Sequence, residues 1–165
     1  MNADSPIIMM VSRFMIPFIQ LYGMYVYTHG EVGPGGGFQA GVIIAASFVL
    51  LGMVYGWDYG RSQLKEGISD LLAPTGALIY ALIGLGALFA GGAFLEYAAY
   101  TSPDPHHVHL AHHVGLIGIE LGVTITVTAA MATLYFEMSR EADADADGLA
   151  DNYPADRDPG DEGAR

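Results

Sequence analysis

Four stretches of this chain are apolar for about 20 residues each. At about 1.5 Å per residue, a helix of that length matches the roughly 30 Å hydrocarbon core of a bilayer. The stretches cover 6–28, 38–57, 71–94 and 112–136 of the 165 residues. Helices apolar on every side belong in lipid or in a deep core, and one small domain cannot bury four of them. The expected fold is therefore an all-α integral membrane protein, with a four-helix membrane domain over 1–138 and an acidic tail over 139–165. Composition agrees, at 52% hydrophobic and 15% charged residues. Pro17, inside the first stretch, is expected to kink it. The amino terminus has no basic n-region and no small-residue cleavage site, so the first stretch reads as a retained helix rather than a signal peptide.

The net charge of -12 is unevenly spread, with 10 acidic and 3 basic residues from Glu137 onward against 8 and 3 before it. The segments 29–37 and 95–111 between apolar runs carry no Lys or Arg, whereas 58–70 carries Arg61 and Lys65, and Arg140 follows the last run. Cations favour the cytoplasmic side, so both termini are expected to be cytoplasmic in a multi-pass protein of the cell membrane. Tyr55, Trp57 and Tyr59 at one face, with Tyr25, Tyr27, Tyr97 and Tyr100 at the other, fit two aromatic belts. So few cations disfavour nucleic acid as a partner. The absence of cysteine excludes disulfides and thiolate metal sites, and no cofactor is expected. The tail is rich in Asp, Ala and Gly and is expected to be disordered. Asp143, Asp145, Asp147 and Gly148 match the opening of a calcium loop, but Pro154 stands where its closing acid belongs.

Between the first two runs lies His29-Gly-Glu-Val-Gly-Pro-Gly-Gly-Gly-Phe-Gln-Ala-Gly41. Pro34 stops a helix, and Gly35, Gly36 and Gly37 reach backbone angles closed to other residues. The segment reads as a tight backbone re-entry that starts a new helix near Gly37 or Phe38; the alternative is a flexible glycine linker. No Lys-Ser/Thr follows the glycines and no strand precedes them, which excludes a phosphate-binding loop. Gly37, Gly41 and Ala45 then recur at the four-residue spacing that lets membrane helices approach closely, and Gly118 and Gly122 repeat it in the last run.

His29-Gly30, then Pro34-Gly-Gly-Gly-Phe-Gln-Ala-Gly41 and Val42-Ile-Ile-Ala-Ala, resemble the signature of the B subunit of multisubunit sodium/proton antiporters of the Mrp (Mnh) type. The resemblance covers roughly residues 10–137 and marks His29, Pro34, Gly35, Gly36, Gly37, Phe38, Gln39 and Gly41 as its loop motif. Two positions depart from it: Glu31 stands where many members carry a second His, and Ala40 where many carry Gly. The resemblance implies an accessory membrane subunit of an antiporter that exchanges Na⁺ for H⁺, partnered by the other subunits and by lipid. Related domains occur in membrane-bound hydrogenase complexes, and a role as pure assembly scaffold is a third reading. Neighbouring genes would separate the first two.

Glu120, within the last run, is the most informative side chain. A carboxylate at that depth is costly unless protonated, paired or watered, and such residues mark ion or proton routes. Helical spacing puts His113 and Thr124 on nearly the same face, with Thr128 edging off it. The alternative is a Glu that only holds helices together. Arg13 is a second charge within an apolar run, placed where its stem can snorkel to the headgroups. Gln20 needs a hydrogen-bonding partner. His109 with His112 or His113 has the spacing to present two imidazoles to one metal; the plainer reading of this histidine cluster is a polar cap at the interface.

Overall fold

The computed structural model describes residues 5–30, 33, 35–101 and 104–152, excluding the side chains of Glu66 and of 143–152. Pro34 and Glu31 of the loop motif lie outside the described residues. Five α-helices follow one another: α1 (Pro6–Thr28), α2 (Gly37–Tyr55), α3 (Trp57–Gln63), α4 (Glu66–Phe89) and α5 (Pro105–Asn152), with a 3-10 turn at Tyr97–Tyr100 between the last two. Among them α1, α2, α4 and α5 are long and apolar enough to cross a membrane.

The interior is made of small residues. Ala40, Ala45, Ala87, Ala129 and Ala132 are buried, while Phe136, Ser47 and Ser69 are the largest side chains removed from solvent altogether. Ile7, Met10, Phe14 and Leu21 of α1 point outward instead, and its buried positions are Ser12 and Gly23. This inverts the pattern of a water-soluble helix. Lipid has no preference for hiding leucine, so close backbone approach and interhelical hydrogen bonds hold the helices together. Gln20 finds its partner this way, donating to the buried Ser47 hydroxyl of α2 at 3.1 Å.

α5 lies between α2 and α4, and α1 packs on the outer side of α2. Glycine contacts set both main seams. Gly41 faces Val127 and Thr124 of α5, and Gly76 of α4 meets the Gly122 carbonyl. Threonine hydroxyls of α5 reach across both: Thr128 to the Gly41 carbonyl at 3.2 Å and Thr126 to the Ala73 carbonyl at 3.1 Å. The expected four-residue pairs thus divide their work, Gly37 and Gly41 toward α5, Gly118 and Gly122 toward α4.

Helix ends differ from those expected from hydropathy, each for a local reason. α2 stops at Tyr55, not 57, because Gly56 takes φ 90°. The third apolar run helps form α4, which ends at Phe89, not 94: Gly91 takes φ 90° and the Gly92 N–H closes on the Ala87 carbonyl. α4 also begins five residues before the expected 71, since polar residues can be helical outside lipid. α5 begins at Pro105 rather than 112. Asp104 accepts the His106 N–H at 3.1 Å, capping a helix whose first residue is proline. At the far end α5 runs to Asn152, so the first part of the tail expected to be disordered continues the helix. Alanine at 142, 144, 146 and 150 favours that continuation. Pro17 is accommodated inside α1.

The segment 58–70 is not a simple loop. α3 folds back under the bundle and carries Arg61 inward, where it is 8% exposed. Its guanidinium donates to Ser69 at 3.4 Å and to Glu137 at 3.3 Å, and lies 5.4 Å from the centre of the Phe136 ring. Trp57 anchors the same corner by donating to the Phe136 carbonyl at 3.0 Å.

Candidate functional site

Glu120 lies in α5 where the turn between α1 and α2 crosses it. Its carboxylate faces the backbone of that turn: a Cβ added at Gly30 would lie 2.6 Å from both carboxylate oxygens, and one at Gly36 3.4 Å from Oε1. Gly36 has φ 149°, a value that side-chain-bearing residues rarely adopt. Gly37, the first residue of α2, presses on the Glu120 backbone so closely that an added Cβ would stand 2.9 Å from its Cα. Glycine is needed here to admit a carboxylate and a second helix at once. The side chain itself is half-buried.

Hydroxyl groups tie the recess together. Thr124 donates toward the Gly37 carbonyl at 3.0 Å and the Glu120 carbonyl at 2.7 Å. Tyr27, near the end of α1, donates to the Ile117 carbonyl at 3.1 Å, closing the same region from the other side. His29 precedes Gly30. Its Nδ1 lies 3.0 Å from the Tyr25 carbonyl and 3.1 Å from the Thr28 hydroxyl, and its ring packs 4.1 Å from that of Tyr25. The structure thus brings Glu120, Thr124, Gly36 and Gly37 together, with His29 one residue from the recess.

Other expected residues lie along α2 and α5. Phe38 and Gln39 are exposed on the outer side of α2, while Gly37, Ala40 and Gly41 are buried, as one helical face requires. Gln39 turns back toward Gly35, whose added Cβ would lie 3.4 Å from Oε1. His113 is exposed and about 10 Å along α5 from Glu120 at the helical rise. His109 and His112 are exposed on the first turns of α5, where His112 meets Tyr97 edge-on at 5.4 Å. Among the described residues no three His, Asp or Glu side chains converge to hold a metal ion. Tyr97 is buried beside this cap, and burial, then Tyr80 and Tyr100, push its phenol above the usual 10.0.

Gly30 and Tyr27 carry more of the recess than their residue types suggest. Gly30 stands in the family-like motif beside His29, which was a usable signal. Tyr27 reads as a belt aromatic, and nothing local reveals its reach to a carbonyl 90 positions away.

A family profile described as a domain related to the MnhB subunit of Na⁺/H⁺ antiporters matches residues 7–133, which takes in three spans and α5 past Glu120. The chain is 31% identical over 142 residues to an uncharacterized protein of Methanocaldococcus jannaschii, covering 83% of this chain and 53% of that protein. It thus spans about half the length of that relative. It is 28% identical over 142 residues to a Staphylococcus haemolyticus protein named "Putative antiporter subunit mnhB2", covering 84% of this chain and 97% of that protein. A Staphylococcus aureus protein of the same name is 26% identical over 140 residues, with the same two coverages. With most of its length inside that profile, this multi-pass membrane protein belongs to the family of domains related to the MnhB subunit of Na⁺/H⁺ antiporters.

Proposed function

We propose that the chain is an accessory subunit of a multisubunit Na⁺/H⁺ antiporter in the cell membrane, and that Glu120 contributes to its ion or proton path. Both termini face the cytoplasm, as the placement of Arg61, Lys65 and Arg140 suggests. The observation that carries the reading is the recess at Gly30 and Gly36, shaped around the Glu120 carboxylate. A carboxylate used only to fasten helices does not call for glycine at both positions of the turn it faces, Gly30 and Gly36. The four spans among the described residues, with no evident internal repeat, are too few for alternating access, so coupling belongs to the whole assembly. The small-residue faces left over on these helices suit neighbouring subunits.

The test is Glu120→Gln in the complete assembly. Exchange should fall by at least about a hundredfold, the scale of one positioned proton-transfer group, with assembly intact. Unchanged exchange and an unchanged pH profile would leave this chain a scaffold.

A further inference from the structure

The one charged group of the first helix, Arg13, has a setting of its own. Arg13 lies seven residues beyond Pro6 in α1, about 10 Å along the helix, and its side chain is exposed. Among the described residues it has no carboxylate partner; the ion pairs go to Arg61 and Arg140. Beside it opens a cleft of about 230 Å³ lined by Arg13, Ile16, Leu51, Tyr55 and Tyr59. The helices run antiparallel, so Ile16 and Leu51 lie one turn deeper than Arg13 and Tyr55. The Tyr55 hydroxyl donates to the Met9 carbonyl at 2.9 Å, fixing its ring one turn from Arg13, and the Tyr59 ring packs 5.2 Å from it. The Tyr59 hydroxyl has no protein partner among the described residues, and the side chain is half-exposed.

A guanidinium at this depth is costly unless it meets an anion or water, and its fork of donors matches phosphate oxygens. We propose that the cleft between α1, α2 and α3 binds an anionic phospholipid. Arg13 and the Tyr59 hydroxyl donate to the phosphate, and an acyl chain lies along Ile16 and Leu51. Free phosphate offers the same oxygens, but the apolar inner wall suits only a lipid. The inference rests on the chain spanning a membrane and not on ion exchange.

Native mass spectrometry of the detergent-solubilised assembly, with phosphatidylglycerol, phosphatidylcholine or inorganic phosphate added, tests it. Phosphatidylglycerol should be retained over phosphatidylcholine, and Arg13→Gln should weaken that retention about fivefold, the contribution of one cation near an anionic lipid surface. Arg13→Lys should keep part of it, whereas Tyr59→Phe and Leu51→Trp should each reduce it with the Arg13 charge in place. Equal retention of the two lipids, or no effect of Arg13→Gln, overturns the proposal. Displacement of the lipid by inorganic phosphate at matched concentration assigns the site to a free anion and also overturns it. Should Arg13→Gln fail to fold, unchanged phosphatidylglycerol retention in both Tyr59→Phe and Leu51→Trp overturns it equally.

Discussion

Gly30 and Glu120 are 90 residues apart in sequence, yet a single methyl group on Gly30 would lie 2.6 Å from both oxygens of the Glu120 carboxylate. The atoms in the way are the far end of a flexible side chain, so the carboxylate can move aside while the helices keep their places.

Gly30→Ala is therefore expected to separate transport from folding. Exchange by the assembly should drop several-fold, about 1 kcal/mol of lost positioning, while expression and melting temperature stay near wild type. Transport assays alongside thermal melts in detergent would check it, with Gly67→Ala, where the added Cβ meets nothing within 4 Å, as the neutral control.

Gly37→Ala should behave in the opposite way. Its Cβ would collide with the Glu120 backbone, which cannot rotate out of the way. Overpacking of this kind costs about 1–3 kcal/mol and should appear as a lower melting temperature and poorer recovery of the assembly.

Thr124→Val keeps the shape and removes a hydroxyl that reaches two carbonyls. A loss of about 0.6–2 kcal/mol is expected, the range for one interhelical hydrogen bond in a membrane. Because Thr124 also borders the Glu120 recess, its effect should be non-additive with Gly37→Ala. A double-mutant cycle read by melting temperature tests the coupling.

Arg61→Ala should destabilise the end of the bundle where α3 folds back. The guanidinium is buried, but the Glu137 side chain is 36% exposed, so the cost should be about 2 kcal/mol rather than the larger figure for a wholly buried pair. Limited proteolysis should detect earlier cleavage near α3, and Glu137→Gln should produce a milder form of the same change.

The four spans were legible because hydropathy alone marks what lipid tolerates, and Glu120 stood out because a carboxylate does not belong there. Gly37 and Gly41 were readable as a contact face because their spacing is helical. Hydropathy does not know where a helix stops, however. Gly56 and Gly91 ended two helices early through backbone angle, and Asp104-Pro105 started another well before its apolar run. Arg61 looked like a loop cation, since nothing nearby in sequence announces Glu137 and Ser69 as its partners. The recess itself was the least legible feature. It exists only when the turn after α1 lies across α5, a meeting of segments far apart in the chain.

The position of α5 between α2 and α4 also bears on how the protein is made. A ribosome delivers α1, α2 and α4 to the membrane before α5, so α1 and α2 can pair through their own seam while the faces of α2 and α4 that meet α5 stay open. Insertion of the last span supplies the threonine hydroxyls to both neighbours at once. A nascent chain halted before residue 105 therefore carries an α1–α2 pair and an α4 not yet bridged to it.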